Sequence, residues 1–285
     1  FVTRVDFGKI PALLNDDWSL IEPKVWIATT PSALRNFLER SYSAEGTLVF
    51  DIETYYGIPT CISFCFDGVE SVCVPFLDTS IDIDHRVLMI DLVAKLLASP
   101  IRKANQNVKY DCKRLEAWGL RVTNVVGDTM LAASCLYCEF PKNLGFLTSL
   151  YTGLPYFKDE GREYDPTIHK KEQFYLYNAK DSLATHQILI KQIDEITEQG
   201  VDYVYRSLIE LIPIYRGMED RGLLVDPLMR DGLMAKYESL YEIEKLKLQS
   251  LVGKHINPQS SPQCYKLVFE DLEFKRTRGV KGTDE

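Results

Sequence analysis

Short apolar runs rich in β-branched residues come first along the chain, and apolar residues at helical spacing follow them. The early runs cover 46–54, 58–66 and 69–76, and an Asp67-Gly68 turn signal separates the last two. Because two-residue turns of this type join antiparallel strands, we expect three strands in meander order.

Helical patterns with a short strand between them occupy the chain from Asp84 to Gly200. The apolar face of the first helix is expected to contain Val87, Ile90, Ala94 and Leu97. The later pattern predicts a strand over 101–105 and helices over 108–118, 128–137, 143–151 and 173–197. The stretch 153–169 is rich in Gly, Pro and charge, so we expect an exposed connection there. Strands followed by alternating helices predict an α/β fold with a mixed sheet flanked by helices.

The chain changes character after Gly200, where long helical patterns replace the alternating elements. The pattern predicts helices over 201–220, 231–251 and 263–272, an extended turn over 222–227 and a polar loop over 253–262. We therefore expect a leading segment over 1–44, a main domain over 45–200 and a helical part over 201–285.

The composition is that of an ordinary globular protein, because 46% of the 285 residues are apolar and 26% are charged. These values exclude disordered, collagen-like and coiled-coil classes, and the apolar runs are too short for a membrane span of about 20 residues. A net charge of −8 argues against nonspecific binding of polyanions. It is compatible with a nucleic-acid enzyme whose site gathers carboxylates around divalent metals.

The seven cysteines are an odd number without the spacing of a disulfide framework. Cys135 and Cys138 have zinc or redox spacing, but no second Cys/His pair follows them, so we expect reduced core thiols. The cysteines are Cys61, Cys65, Cys73, Cys112, Cys135, Cys138 and Cys264.

Four carboxylates and one tyrosine are the candidate functional residues. Asp51 and Glu53 lie two apart at the end of an apolar strand, so their side chains share one face of the sheet. Tyr177 and Asp181 lie four apart on a helix, and Asp111 lies on the first turns of another. Each has an alternative interpretation as a solvated surface group or, for Asp111, as a helix-start acid. Together they fit hard divalent metals, which prefer oxygen ligands.

Asp128 precedes a predicted helix and is interpreted differently. Asp at this position is typical of an N-cap, where the carboxylate accepts hydrogen bonds from the first backbone N–H groups. We therefore expect a structural role for Asp128 rather than metal binding.

The motifs resemble those of the DEDD exonuclease superfamily, whose fold is RNase H-like. The resemblance covers about 45–200 and rests on Asp51-Ile-Glu53-Thr, Asn107-Val-Lys-Tyr-Asp111 and Tyr177-x-x-x-Asp181, with Asp128-Thr-Met-Leu after Asp111. The tyrosine marks the DEDDy branch, and the set is similar to the proofreading domain of family A DNA polymerases of the bacterial polymerase I type. The segments 218–227, 256–263 and 281–285 are similar to the start of the family A thumb.

The resemblance implies a two-metal 3′–5′ exonuclease that releases 5′ nucleotides from single-stranded or frayed DNA. Asp51, Glu53 and Asp181 are implied to hold one Mg²⁺ or Mn²⁺, and Asp51 with Asp111 the second. Tyr177 is implied to position the attacking water with Glu53. The expected DNA contacts are made by Thr54, Asn107 and Tyr110.

The same resemblance implies that polymerase palm and fingers belong to the full-length chain, that the partner is primer-template DNA, and that the protein is cytoplasmic in a bacterial or phage-infected cell. Phe157-Lys-Asp-Glu-Gly161 differs from the bacterial pattern, so single-strand-binding residues are not carried over from that region.

Three alternative functions compete with this one. A stand-alone or RNase D-like exonuclease shares the four acids. A non-catalytic scaffold is disfavoured because all four acids and the tyrosine are present, and a structural calcium site lacks closely spaced loop carbonyl ligands.

Overall fold

The computed structural model describes residues 22–41, 46–162 and 170–275. The chain divides into two compact units, Phe1–Arg221 and Gly222–Glu285. The helix that follows Gly200 therefore belongs to the first unit, whereas the sequence placed the domain boundary near 200.

The first unit contains a six-stranded sheet with the strand order β1-β4-β3-β2-β5-β6. The strand β3 pairs antiparallel with both β2 and β4, whereas β1, β5 and β6 join the sheet in parallel. The strands are β1 Lys24–Ile27, β2 Thr47–Tyr55, β3 Ile58–Cys65, β4 Glu70–Pro75, β5 Arg102–Asn105 and β6 Val125–Asp128. The predicted meander and the mixed sheet are confirmed.

Helices cover both faces of this sheet. They are α1 Pro31–Ser41, α2 Ile83–Ala98, α3 Val108–Ala117, α4 Thr129–Leu136, α5 Leu144–Tyr151, α6 Lys158–Arg162, α7 Lys171–Gln199 and α8 Asp202–Arg221. The turn between β3 and β4 follows the predicted chemistry, because Asp67 accepts hydrogen bonds from the backbone of Val69 and Glu70. Gly68 adopts the left-handed φ of +71° that this turn requires.

Two apolar layers hold the sheet between the helices. Leu48, Phe50 and Ile52 of β2 point into a core shared with α1, α2 and α3. Val49 points to the opposite face, where it packs with Leu189 of α7. Since side chains alternate along a strand, Asp51 and Glu53 also face α7. The sheet therefore presents these two carboxylates toward the long helix.

Two features differ from the sequence prediction. Val87, expected on the apolar face of α2, is 57% exposed. The other three residues of that face contact the core, since Leu97 is buried and Ile90 and Ala94 are partly buried against it. The segment expected to lead into the fold contributes β1, which pairs with β4 at the edge of the sheet.

The helix α8 packs against the sheet domain. Tyr205 is buried, and its hydroxyl accepts a hydrogen bond of 2.9 Å from the backbone N–H of Asp128. Ile212, further along α8, belongs to the main apolar core. A shortened chain that preserves this core must therefore end after α8, because a cut at 200 would remove both side chains and leave the core that they cover exposed.

The second unit contains helices in the described range 222–275. The helix α9 covers Pro227–Val252, and the side chain of Asp226 accepts hydrogen bonds from the first N–H groups. It ends at Gly253, whose φ is +73°. A short helix α10, Ser261–Tyr265, continues into the π-helical turn Lys266–Asp271. The helix predicted over 263–272 is therefore α-helical only at its start, and it is π-helical over Lys266–Asp271.

Candidate functional site

Three carboxylates meet between β2 and α7. One oxygen atom from each of Asp51, Glu53 and Asp181 lies within 4.8 Å of the other two. Asp181 is only 3% exposed, whereas Asp51 and Glu53 are half-buried. The strand pairing between β2 and β3 shifts register at Glu53 and Thr54, as at a β-bulge. Such shifts re-aim side chains next to functional sites.

Asn178 fixes the orientation of Asp51. Its side-chain amide donates a hydrogen bond of 2.7 Å to Oδ2 of Asp51. The thiols of Cys61 and Cys73 lie 3.6 and 3.5 Å from Oδ1 of the same Asn178. Because the thiols occupy the amide oxygen, the NH₂ group is directed toward the carboxylate.

The fourth candidate acid, Asp111, lies beside this cluster at the start of α3. Asp111 is 4% exposed, and its Oδ1 accepts a hydrogen bond of 3.1 Å from the backbone N–H of Ile52. This bond ties the helix to the strand that carries Asp51 and Glu53. Sequence spacing did not predict the contact, because it joins residues 59 positions apart.

The acids line an open cleft of about 480 Å³. Seven of the eight residues predicted for the site line it, namely Asp51, Glu53, Asn107, Tyr110, Asp111, Tyr177 and Asp181. The eighth, Thr54, is hydrogen-bonded to the hydroxyl of Tyr110 at 3.0 Å. The structure therefore brings the predicted residues to one place.

Burial and mutual repulsion raise the pKa values of these acids. Burial, followed by the charges of Asp111 and Asp181, raises the pKa of Asp51 well above its usual range. Burial and the charge of Asp181 raise the pKa of Glu53 to about 8. Burial raises the pKa of Asp111 to about 8 despite its hydrogen bond from Ile52. The pKa of Asp181 is also raised by burial, although Lys158 opposes the shift. The repulsion among these carboxylates is therefore relieved either by protonation or by a bound cation.

This arrangement predicts how the stability of the metal-free protein depends on pH. In the unfolded chain these acids ionise near pH 4, whereas the folded pKa of Glu53 is about 8. The folded protein therefore binds more protons between these values, so the free energy of unfolding falls as the pH rises from about 5 to about 8. Thermal melting in a chelator at pH 5 and pH 8 measures this loss.

Glu53→Gln is the matched variant for that measurement, because it keeps the side-chain shape and cannot ionise. We expect a smaller loss of melting temperature between pH 5 and pH 8 than in the wild type. An equal loss in both proteins would contradict the assignment to Glu53.

Asp128 supports two helix starts, and the predicted N-cap is confirmed. Its Oδ1 accepts hydrogen bonds of 2.8 and 3.1 Å from the N–H groups of Met130 and Leu131 at the start of α4. Its carboxylate also accepts from the N–H groups of Asn107 and Val108, where α3 begins. Asp128 therefore places the helix that carries Asp111.

The residues expected to contact nucleic acid lie at this helix start and on β2. Asn107 has a left-handed φ of +60° at the N-cap position and lines the cleft. Tyr110 is 40% exposed, and the guanidinium of Arg114 lies 5.0 Å from its ring centre. Tyr110 is thus held by Thr54 on one side and Arg114 on the other, with part of its surface free for a ligand.

Lys158 is a site residue that the sequence interpretation missed. Its Nζ lies 2.8 and 2.7 Å from the two carboxylate oxygens of Asp181 and also donates to the hydroxyl of Tyr177. The expectation of an exposed connection over 153–169 holds for Tyr156, Asp159 and Glu160 but is wrong for Leu154 and Phe157. Leu154 and Phe157 are buried and anchor α6 to the domain, and their three-residue spacing was the available signal. Residues 163–169 lie outside the described part of the chain.

The cysteines are all free. Cys61, Cys65, Cys73 and Cys112 are buried, which confirms the expected core thiols at these four positions. Cys138 is exposed, so the same expectation is wrong there.

Comparison with known proteins identifies the family of the domain. A family model described as 3′–5′ exonuclease matches residues 25–197. DNA polymerase I from Synechocystis sp. is 31% identical over 203 residues, which make up 67% of this chain and 20% of that protein. The chain thus spans about a fifth of the length of this curated relative.

Two solved structures have a similar fold. One is the POL domain of Pol1 from M. smegmatis in complex with DNA primer-template and dNTP, with a TM-score of 0.53 and 20% identity over 90% of this chain and 43% of that chain. The other is Escherichia coli RNase D, an exoribonuclease involved in structured RNA processing, with a TM-score of 0.50 and 21% identity over 68% of this chain and 51% of that chain. These similarities confirm the expected RNase H-like exonuclease fold. Within the described ranges, the helices lack the length and apolar character needed to cross a membrane.

Proposed function

This chain belongs to the 3′–5′ exonuclease family, and we propose that it is the metal-dependent proofreading module of a DNA polymerase. The observation that carries the proposal is the cluster of Asp51, Glu53 and Asp181 beside Tyr177. The reaction is hydrolysis of the 3′-terminal phosphodiester of single-stranded or frayed DNA, with release of a 5′ nucleotide.

The donor set fits divalent metals. Three carboxylate oxygens within 4.8 Å of one another match the preference of Mg²⁺ and Mn²⁺ for oxygen ligands, and a fourth buried carboxylate, Asp111, lies beside them. We assign Asp51, Glu53 and Asp181 to one ion and Asp51 with Asp111 to a second. Bound metals lower the pKa of water and neutralise charge on the scissile phosphate. The raised pKa values of the acids are consistent with a site that needs cations to remain ionised.

The residues of the chain itself position the reactants. Burial and the charge of Asp181 raise the pKa of Tyr177 above its usual range, so the phenol stays protonated. A neutral phenol orients water by hydrogen bonding rather than removing its proton as a strong base. We assign this orientation to Tyr177 together with Glu53, and contacts with the DNA strand to Thr54, Asn107 and Tyr110.

Tyr177→Phe is expected to lower kcat by up to about a hundredfold, because the attacking water loses the hydrogen bond that orients it. Divalent metal affinity is expected to remain, because the phenol is not a ligand. Single-turnover hydrolysis and calorimetric titration with Mn²⁺ measure the two quantities. Tyr175→Phe is the matched control, since Tyr175 is equally buried on α7 and its hydroxyl bonds to Asp78 instead. Loss of Mn²⁺ binding in Tyr177→Phe would contradict this role.

The polymerase association is supported by the extent of the similarity. Similarity to the M. smegmatis polymerase structure covers 90% of this chain, against 68% for RNase D, so it includes helices beyond the exonuclease domain. We infer that palm and fingers accompany this domain in the full-length protein and that its substrate is the primer strand of primer-template DNA. The alternative is an RNase D-like exonuclease, which the fold similarity to RNase D favours.

One experiment distinguishes the two functions. The protein is incubated with Mg²⁺ or Mn²⁺ and with 5′-labelled single strands of DNA and RNA of the same sequence. Stepwise shortening of the DNA from its 3′ end, with 5′ mononucleotides as products, supports the proposal. Preferred degradation of the RNA strand would favour the RNase D-like function, and no degradation of either would contradict both.

A further inference from the structure

Lys158 places a positive charge inside the acid cluster. Its ammonium contacts both carboxylate oxygens of Asp181, at 2.8 and 2.7 Å, so it occupies the atoms that a metal ion would use. The Lys158 side chain is 21% exposed and that of Asp181 is 5% exposed. Because the ammonium contacts both carboxylate oxygens, a metal ion that binds Asp181 has to displace it, and leaving either charge buried without a partner is costly.

The same ammonium also holds Tyr177. Lys158 donates a hydrogen bond to the phenolic oxygen, and its Nζ lies 4.5 Å from the centre of the Tyr177 ring. An ammonium only donates hydrogen bonds, so the phenolic oxygen must act as the acceptor and its own O–H must point elsewhere. Lys158 thereby fixes the direction of the Tyr177 hydroxyl proton.

The backbone around Lys158 is shaped for these two contacts. A Cβ on Gly145 of α5 would lie 3.1 Å from Cγ of Lys158, so the glycine leaves room for the lysine stem. A Cβ on Gly161 of α6 would lie 2.7 Å from Cε1 of Tyr177. Phe157 is buried against Tyr177, with ring centres 6.0 Å apart. The short helix α6 is therefore fitted closely to the tyrosine.

We propose that Lys158 is an internal counter-ion that neutralises Asp181 before metal binding, yields this carboxylate to the metal, and remains on Tyr177 as a positioning residue. The inference rests on the proposed metal-dependent function and adds a residue to it. It makes Lys158 both a competitor of the metal and a support for the tyrosine. If the Lys158 charge is removed, the first role predicts tighter metal binding and the second predicts slower turnover.

The first test is calorimetric titration of the full chain with Mn²⁺. Lys158→Met removes the competing charge and is expected to bind Mn²⁺ at least about tenfold more tightly than the wild type. Lys158→Arg keeps the charge and is expected to stay near the wild-type affinity. In a chelator, Lys158→Met is expected to melt at a lower temperature than the wild type, and saturating Mn²⁺ is expected to remove this difference.

Lys180→Met is the matched control. Lys180 lies on α7 and forms an ion pair with Glu160 of α6, with 2.7 Å from Nζ to each carboxylate oxygen. Its side chain is 20% exposed, close to the value for Lys158. This variant changes the net charge equally and removes an ion pair that does not include Asp51, Glu53 or Asp181, so its Mn²⁺ affinity is expected to stay near that of the wild type.

The second test separates positioning from general structural damage. At saturating Mn²⁺ we expect Lys158→Met to lower kcat for single-stranded DNA about tenfold, with KM unchanged. If Lys158 acts through Tyr177, the double variant Lys158→Met/Tyr177→Phe is expected to have the same kcat as Tyr177→Phe alone. Lys158→Arg is expected to restore part of the lost turnover.

Three results would overturn the inference. They are unchanged or weaker Mn²⁺ binding by Lys158→Met, equal tightening in Lys180→Met, and fully additive effects in the double variant. If the wild-type protein binds no Mn²⁺, the proposed function itself fails. If the wild type binds Mn²⁺ and Lys158→Met binds it no more tightly, only the role of Lys158 fails.

Discussion

Asp51→Asn is expected to reduce 3′–5′ hydrolysis of single-stranded DNA by about a thousandfold or more. Asp51 belongs to both proposed metal sites, and metal contributions of several kcal/mol to the barrier correspond to factors of this size. Asparagine keeps the shape of the side chain and can still accept the hydrogen bond from Asn178, so the fold is expected to remain. Initial rates on a labelled oligonucleotide measure the loss.

The metal-free Asp51→Asn protein is also expected to melt at a higher temperature than the wild type at pH 8. Burial and the charges of Asp111, Asp181 and Glu53 raise the pKa of Asp51, so removing its charge relieves repulsion. Each kcal/mol of relief corresponds to about 2–4 °C for a protein of this size. Asp91→Asn is the control, because Asp91 forms an exposed i,i+4 pair with Lys95 on α2, away from the acid cluster. Wild-type hydrolysis by Asp51→Asn would contradict the assignment, as would an equal loss of activity in Asp91→Asn.

Matched blunt duplex is expected to be degraded about 10³–10⁴ times more slowly than single-stranded DNA. The acids line the cleft and Asp181 is only 3% exposed, so we expect a terminal phosphodiester to reach them only as an unpaired strand. Unpairing about three or four steps costs about 1.4 kcal/mol each, and every 1.4 kcal/mol is a factor of ten.

Duplexes with one, two or three terminal mismatches provide the graded control. Because each mismatch removes part of the unpairing cost, their rates are expected to rise in order toward the single-strand rate. All substrates are compared at one salt concentration, since nucleic-acid affinity depends strongly on salt. Equal rates on matched duplex, mismatched duplex and single strand would refute the dependence on strand separation.

The sequence alone determined the local geometry of the candidate site. Alternation along β2 placed Asp51 and Glu53 on one face, and the four-residue spacing placed Tyr177 and Asp181 on one side of a helix. The N-cap at Asp128 was also predictable, because a carboxylate before a helix meets unpaired N–H groups whatever the rest of the fold. These features depend only on neighbouring residues and on fixed backbone periodicities.

Only the tertiary structure decided which distant groups meet. The contact between Asp111 and the backbone of Ile52, the amide of Asn178 on Asp51 and the placement of Lys158 on Asp181 join segments 59, 127 and 23 residues apart. Such contacts follow from the packing of α3, α6 and α7 on the sheet, which no local periodicity encodes. Lys158 was missed for this reason: the spacing of Leu154 and Phe157 indicates a buried side, but it does not show that the Lys158 ammonium reaches Asp181 of α7.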